Sequence, residues 1–368
     1  QPVLPVIRTE FGVSASYASL TVSAVIFGIA LATLPFGLLV DTFPVRPLLF
    51  TGGCVVIGSS LFCAFTESLP LLVVARFLQG LFIPSLTTCL VVYLVRSLPQ
   101  ERLNVLMGSY VSATVAGSLG GRLLGGWIHL LLHWRYAFVI ASVLLASAIL
   151  IAARRLPSTE GEAGPAEGKT GFLAILSRAE LLRTYFVAFS AYFVFSSIFN
   201  YLPFYLAGPD FGATTDVITL MYLSYVIGVA IGPLAGNLSD RIGNGATIAV
   251  GSAVFALAIL FSFLHSMMAI LASLVGVCGG FFMVHAAAAG SLNRGLTAGR
   301  GRANSLYVLF YYLGGSIGIT VNGYVYGYGG WRWVGGIGVL MLCTTFASGI
   351  AEMREGKGFV RAEGKGKS

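Results

Sequence analysis

Few residues in this sequence can do chemistry, and those that can are set in apolar surroundings. Arg76 heads the run Arg76-Phe77-Leu78-Gln79-Gly80, Arg122 stands in a glycine-rich run, and His285 lies between Val284 and Ala286. An ionised group inside such a run is costly, about 2.5–3.5 kcal/mol near the middle of a bilayer, so it marks function unless it can snorkel to the surface. Both readings stay open for Arg76 and Arg122. His129 and His133 are four apart and could share a helix face toward a metal, but a site needs a third ligand and none is near. No metal and no other cofactor is expected. Cys54, Cys63, Cys89, Cys278 and Cys343 fall in apolar runs without ligand or redox spacing and read as small core residues. No nucleophile–base pairing lies within the apolar runs, which argues against an enzyme. No Gly-x4-Gly-Lys-Ser/Thr loop is present, which argues against a nucleotide-driven pump. What remains is chemistry of holding, gating and moving.

The elements that position these residues follow from composition. Hydrophobic residues make up 57% of 368 and charged residues 10%, with a mean hydropathy of +0.87. A soluble domain carries about 25% charged residues. A chain this apolar has too little polar surface for water, so its solvent is the lipid bilayer. The apolar runs reach the ~20 residues a helix needs to cross it. They do not alternate as the strands of a membrane barrel do. The fold class is an all-α polytopic membrane protein. The basic residues form no patch interleaved with exposed aromatics, so no nucleic acid is expected.

Hydropathy places spans at 17–40, 48–66, 69–95, 103–130, 135–153, 183–206, 214–238, 246–264, 267–291, 302–327 and 331–351. Leu4-Pro5 with Glu10-Phe11-Gly12 parallels Leu202-Pro203 with Asp210-Phe211-Gly212. In the second copy an apolar helix leads into that Leu-Pro. Most of a first transmembrane helix is therefore expected upstream of Gln1, completing two sets of six. The division is an N-terminal half over 1–153, a linker over 154–182, a C-terminal half over 183–351 and a tail over 352–368. The linker carries Pro157, Gly161, Gly164, Pro165 and Gly168 among charges, with a short surface helix near 172–182.

Basic residues set the orientation. With the loops at Asp41 and Asp240 placed in the cytoplasm, only Arg8, Arg135 and Arg332 face outward. Arg76 and Arg122 lie within spans, and the rest of the 22 Lys and Arg residues face inward. Linker and C-terminus are expected in the cytoplasm by the positive-inside rule.

The internal repeat also marks the candidate moving parts. Gly236-Asn237-Leu238-Ser239-Asp240-Arg241-Ile242-Gly243 is a polar stretch between two apolar runs, and Gly37, Leu39 and Asp41 form its weaker copy, with Arg46 further on. An Asp between two helix ends, with a base nearby, can make a charge-assisted hydrogen bond or cap a helix. Gly37, Asp41, Arg46, Gly236, Asp240, Arg241 and Gly243 are the gating candidates. Trp134-Arg135 recurs as Trp331-Arg332, and Gly117, Gly121 and Gly126 recur as Gly314, Gly318 and Gly323. Spacing by four puts Gly117, Gly121 and Gly125 on one helix face, where a neighbouring helix can come close. With Gly108 and Gly126 they form the expected packing seam. Tyr185, Phe189, Tyr192 and Phe199 share one side of their helix, and Tyr307, Phe310 and Tyr311 share another. Such stripes are packed core or the wall of a ligand cavity. Asn200, Asn322 and His285 are interhelical links or ligand contacts.

The Gly-x-Leu-x-Asp-Arg-x-Gly spacing resembles the loop between the second and third helices of major facilitator superfamily transporters. In the first copy Thr42 replaces the basic residue and Pro44 the glycine. The run from Arg76 through Gln79 to Gly80 resembles the Arg-x-x-Gln-Gly motif that the family links to proton coupling. Gly108, Gly117, Gly121, Gly125 and Gly126 resemble the fifth-helix signature of its drug/proton antiporters, with Arg122 where the family has proline. The opening from Gln1 to Ser14 is similar to that of YnfM-like and arabinose-efflux-like permeases.

The resemblance implies two pseudo-symmetric six-helix halves rocking about a midplane cavity in a bacterial inner membrane. It implies export of a drug-like compound, sugar or metabolite, in exchange for protons and by a monomer. A proton-independent facilitator or an uptake transporter would share these motifs. The cavity candidates are Phe189, Tyr192, Asn200, Tyr307, Tyr311 and Asn322. The coupling candidates are Arg76, Gln79, Arg122 and His285, with an acid on the upstream helix as the preferred proton carrier.

Overall fold

The structure is a computed structural model. Its backbone is described for residues 1–97, 100–155, 171–294 and 300–365. The side chains of 41, 92–97, 100–109, 111–112, 153, 155, 229, 293, 300 and 356–365 lie outside the description. Asp41 and the surroundings of Gly108 are thus among the expectations that fall outside it.

Every regular element among the described residues is helical. The first six are α1 (Leu4–Glu10), α2 (Ala15–Thr42), α3 (Val45–Phe65), α4 (Leu69–Ser97), α5 (Gln100–Leu131) and α6 (Arg135–Arg155). Next come the short α7 (Phe172–Leu176), α8 (Ala179–Leu206) and α9 (Thr215–Met221). A 3₁₀ turn over Tyr222–Tyr225 leads into α10 (Val226–Ile242), followed by α11 (Asn244–Phe261) and α12 (Met267–Arg294). The last stretch, Arg300–Lys365, breaks at Gly330, whose φ of 63° and ψ of −152° are not helical. It is treated as α13 (300–329) and α14 (331–365).

Each hydropathy span falls mainly on helix, though the one over 103–130, in α5, is not among the described stretches that are long and apolar enough to cross a membrane. Nine stretches among the described residues are long and apolar enough to cross a membrane, and one of these, Gly301–Glu355, holds both α13 and α14. The span expected over 214–238 is not one continuous helix but α9, the 3₁₀ turn and α10. Cys63, Cys89 and Cys278 are buried as expected. Cys54 and Cys343 are exposed, because a helix facing lipid has no need to hide a small apolar side chain.

Sequence repetition becomes structural repetition at the turns. Gly12 and Gly212 both take positive φ, 62° and 55°, a region where any other residue would strain its Cβ. Each lies in the turn that follows a helix, α1 or α8, just after Phe11 or Phe211, and leads the chain toward the next helix. The tryptophans of the two repeated Trp-Arg pairs are both buried and both donate a hydrogen bond, Trp134 from Nε1 to Glu10 and Trp331 to Ser262 Oγ at 3.0 Å.

Close helix approach, not large side chains, holds several pairs together. A Cβ on Gly28 of α2 would lie 2.6 Å from the Phe77 carbonyl of α4, and one on Gly80 of α4 would strike the Val25 carbonyl of α2. On α13, a Cβ at Gly318 would lie 2.5 Å from the Phe193 carbonyl of α8, and one at Gly314 would strike that of Phe189. In lipid, where apolar surface gains little by meeting apolar surface, such contact is the main source of helix association.

The first set of helices meets the second along α2. Asn200 Nδ2 of α8 donates to Ser19 Oγ at 2.7 Å, and Ser316 Oγ of α13 donates to the Ser23 carbonyl at 3.0 Å. Toward the Asp240 end, a Cβ on Gly37 would lie 3.5 Å from Ser305 Oγ of α13. A second meeting place joins α5 to α9, where Gly126 faces Thr219.

Candidate functional site

A cavity of about 280 Å³ lies between the two sets of helices. On one side α4 and α5 present Arg76, Ser118, Gly121 and Arg122 to it, and α2 presents Val22, Val25 and Ile26. On the other side α8 presents Tyr192, Phe195 and Ser196, and the 3₁₀ turn presents Tyr225. Both arginines of the apolar runs therefore face one space. Gln1 also borders it, and among the described residues no Asp or Glu lines it.

Each guanidinium is held by neutral groups. Arg76 Nε donates to the Thr21 carbonyl at 3.0 Å, Nη1 donates to Gln79 Oε1, and the group lies 5.5 Å from the Phe138 ring centre. Gln79 is thus the residue that orients Arg76, one helical turn away. Arg122 Nε donates to Gln1 Oε1 at 2.9 Å, and Nη1 donates to the Ser118 carbonyl at 2.7 Å and to Ser118 Oγ. Its guanidinium carbon lies 4.5 Å from the Tyr225 ring centre and 5.9 Å from that of Tyr222. These are cation–π distances.

The aromatic wall is layered. Tyr192 stacks on Tyr311 of α13 at 3.9 Å, with ring planes 10° apart, and Phe195 stacks on Phe281 of α12 at the same 3.9 Å. Tyr311 lies 5.0 Å from His285. Behind it Tyr307 Oη and His285 Nδ1 are 2.9 Å apart. His285 is therefore one ring removed from the cavity.

Of the six cavity candidates, Tyr192 lines this cavity. Tyr311 backs it and Tyr307 binds His285. Phe189 packs against Gly314. Asn200 and Asn322 link helices, the latter donating to Ser197 Oγ at 3.0 Å. The seam glycines divide. Gly126 meets Thr219, whereas Gly117, Gly121 and Gly125 have no neighbouring atom within 4 Å where a Cβ would stand, and Gly121 borders the cavity. Phe195, Tyr225, Tyr222 and Ser118 were not among the sequence candidates. The i, i+3 spacing of Tyr222 and Tyr225 was the one available signal.

Both ends carry ionic contacts. At the Asp240 end the partner of Asp240 is Arg294, at the end of α12, with Nη2 2.9 Å from Oδ1. Its sequence neighbour Arg241 is not the partner, because adjacent residues on a helix do not face each other. Gly236 is open on one side, and Gly243 caps α10 with φ 89°. Arg46 lies over the Phe50 ring at 5.9 Å. Nearby, Arg183 of α8 grips Glu355 of α14 through two bonds of 2.7 Å. At the opposite end Glu10 takes hydrogen bonds from Trp134 and from Arg135, the latter at 2.9 Å, with His133 3.5 Å away. Burial alone would raise the Glu10 carboxyl. The bonds from Trp134 and Arg135, with the charges of Arg135 and His133, outweigh it and hold the carboxyl below its ordinary value.

An all-helical, multi-span bundle with a cavity between two similar sets of helices defines a polytopic membrane transporter fold. The Major Facilitator Superfamily model matches residues 1–289 and again 207–363, so the chain belongs to that superfamily. An uncharacterized MFS-type transporter of Bacillus subtilis (strain 168), YybF, is 26% identical over 351 residues, covering 92% of this chain and 85% of that protein. The inner membrane transport protein YnfM of Escherichia coli (strain K12) is 28% identical over 351 residues, covering 93% and 83%. The multi-drug resistance efflux pump PmrA of Streptococcus pneumoniae serotype 4 is 25% identical over 374 residues, covering 94% and 89%.

Proposed function

We propose that this protein exports a small molecule across a bacterial inner membrane by alternating access, in exchange for protons, with the Asp240 end in the cytoplasm. It is a transporter and not an enzyme. The observation that carries this reading is the cavity itself, whose walls come from α2, α4 and α5 on one side and α8 and the 3₁₀ turn on the other. A ligand held there touches both sets of helices, so its binding can bias how they sit against each other. The relative named as an efflux pump supports the outward direction, and the bias of basic residues supports the orientation. His285, hydrogen-bonded to Tyr307 and close behind the aromatic wall, is the coupling candidate next to the cavity.

A proton-independent facilitator is the second reading, favoured by a cavity wall on which no carboxylate stands among the described residues. Purified protein in liposomes distinguishes the two. Under an imposed pH gradient, solute should accumulate beyond equilibrium, and an ionophore that collapses the gradient should abolish the accumulation. Equilibration at the same rate with and without the gradient assigns the facilitator reading.

A further inference from the structure

The geometry points to a seat for one acyl chain of a bilayer lipid, in the groove where α2 meets α13. The inference rests on the protein spanning a membrane and not on what it transports. The groove holds about 350 Å³ and lies between the two sets of helices. Its floor is made of small residues, Ser23 and Ala24 of α2 with Ser316 and Thr320 of α13. Leu20 and Phe27 wall it on the α2 side, and Ile317 and Val321 on the α13 side. Phe27, Ile317 and Val321 are exposed, so the groove opens outward from the bundle.

The groove and the central cavity lie on different faces of α2. The cavity takes Val22, Val25 and Ile26, and the two share no residue. Behind the groove the seam is shut, since a Cβ on Gly315 would lie 3.4 Å from Ile26 Cγ2. Gln1 borders the central cavity and takes a hydrogen bond from Arg122 of α5. A segment preceding Gln1 would therefore join on the cavity side of α2, away from the groove.

Depth and polarity identify the occupant. Both walls belong to stretches long and apolar enough to span a membrane, Ala15–Val40 and Gly301–Glu355. Leu20 and Phe27 lie about 8 Å and about 18 Å along α2 from Ala15. With a hydrocarbon core about 30 Å thick, that depth falls below the headgroups and within one leaflet. Among the described residues no charged side chain lines the groove. Two of its hydroxyls are already engaged, Ser316 Oγ with the Ser23 carbonyl at 3.0 Å and Thr320 Oγ1 with the Ser316 carbonyl at 2.9 Å. The groove thus offers little to a headgroup or a polar solute, whose burial there would be costly. Left empty, it would forfeit dispersion contacts along both walls and the floor. A helix of a second copy, about 10–12 Å across, would rest on the rim and leave the floor unfilled. A single flexible chain reaches the floor and touches both sets of helices.

The test uses the full chain in phosphatidylcholine nanodiscs doped with a phosphatidylcholine that carries a diazirine midway along one acyl chain. After irradiation, peptide mass spectrometry maps the adducts. Ile317 and Val321 are 42% and 41% exposed, whereas Leu257 and Leu340, outside the groove, are 65% and 67% exposed. Exposure alone would label the second pair more. The first pair should instead be labelled about threefold or more above the second, the mark of a retained chain. Ala24→Phe fills the floor and should remove that excess while leaving Leu257 unchanged. Elution profile and melting temperature check that the variant folds. If it does not, Ile317→Ala, which lowers one wall, should reduce labelling at Val321. Changing the host lipid to phosphatidylglycerol with the same chains should leave the excess as it was.

Labelling that follows exposure over the whole surface overturns the proposal, as does an excess that survives Ala24→Phe in folded protein. An excess lost with the change of headgroup overturns the acyl chain as the recognised part. Crosslinks between two copies at Ile317 or Val321, in place of lipid adducts, assign the groove to a protein contact and overturn it too. No arm depends on transport, so failure of the export reading leaves the seat standing, and failure of the seat leaves export untouched.

Discussion

Asp240 and Arg294 join two helices across the end of the molecule, with Oδ1 and Nη2 2.9 Å apart. The carboxylate closes α10 and the guanidinium closes α12. Both are more than half exposed, at 74% and 58%. Exposed pairs of this kind contribute about 0.2–1 kcal/mol. The pair is therefore too weak to hold the fold and well suited to a contact that must break and reform.

Asp240→Asn should lower the melting temperature little and reduce transport clearly, and Arg294→Ala should do the same. The double variant should be no worse than either single one if they act as a pair. Transport kinetics in liposomes, read beside thermal melts, make the comparison. Unchanged kinetics in both single variants would remove the pair from the gating account.

Glycines that look alike in sequence should respond differently. Gly318→Val places a side chain against the Phe193 backbone and should destabilise by about 1–3 kcal/mol. Gly121→Leu meets open space and should leave the melting temperature near wild type, while filling part of the cavity and impairing ligand binding. Thermal melts of the two variants side by side settle which glycine faces a backbone.

The Glu10 cluster predicts an acid-side loss of stability. Its carboxyl is held below the ordinary value near 4.5, so its contribution is complete above that pH. It is lost as pH falls from there through the lowered folded-state value. Wild-type protein should melt higher than Glu10→Gln at pH 7, and the gap should close as the pH is taken below about 4. A gap that stays constant through the acid range would mean the carboxylate's charge contributes nothing.

His285→Ala should leave solute exchange intact and remove its dependence on a pH gradient. Tyr307→Phe, which deletes the hydroxyl 2.9 Å from His285 Nδ1, should shift the pH profile of transport and keep the coupling. Stopped-flow recording of proton movement with a pH-sensitive dye gives both quantities. Full coupling in His285→Ala would exclude this residue as the proton carrier.

The helices were legible because hydropathy in lipid is a strong signal, and Gly12 and Gly212 because a repeated glycine marks a repeated turn. The 3₁₀ turn at Tyr222–Tyr225 was not legible. Its residues are as apolar as those of a helix, and the change from one hydrogen-bond pattern to the other leaves no mark in hydropathy. The aromatic stripe on α8 left packed core and cavity wall equally open for another reason. That helix is enclosed on nearly every side from Thr184 to Leu206, so no single face of it is the cavity face. Tyr185 stacks on Phe310, Phe199 packs on Tyr225, and only Tyr192 reaches the cavity. Arg122 was singled out by cost, and its partners needed three dimensions to find.

Alternating access requires the two sets of helices to part at the Asp240 end during each cycle. Gly37 of α2 and Ser305 of α13 span that seam, with the Gly37 Cβ position 3.5 Å from Ser305 Oγ. The Ser305 Cβ lies beyond 4 Å from that position, toward the wide end of the about 3.5–4.5 Å that separates the Cβ atoms of a disulfide. With the exposed Cys54 and Cys343 first replaced by serine, Gly37→Cys combined with Ser305→Cys should crosslink on mild oxidation. Transport into liposomes should stop when the crosslink forms and return when it is reduced. A fully crosslinked protein that transports at the uncrosslinked rate would contradict the account.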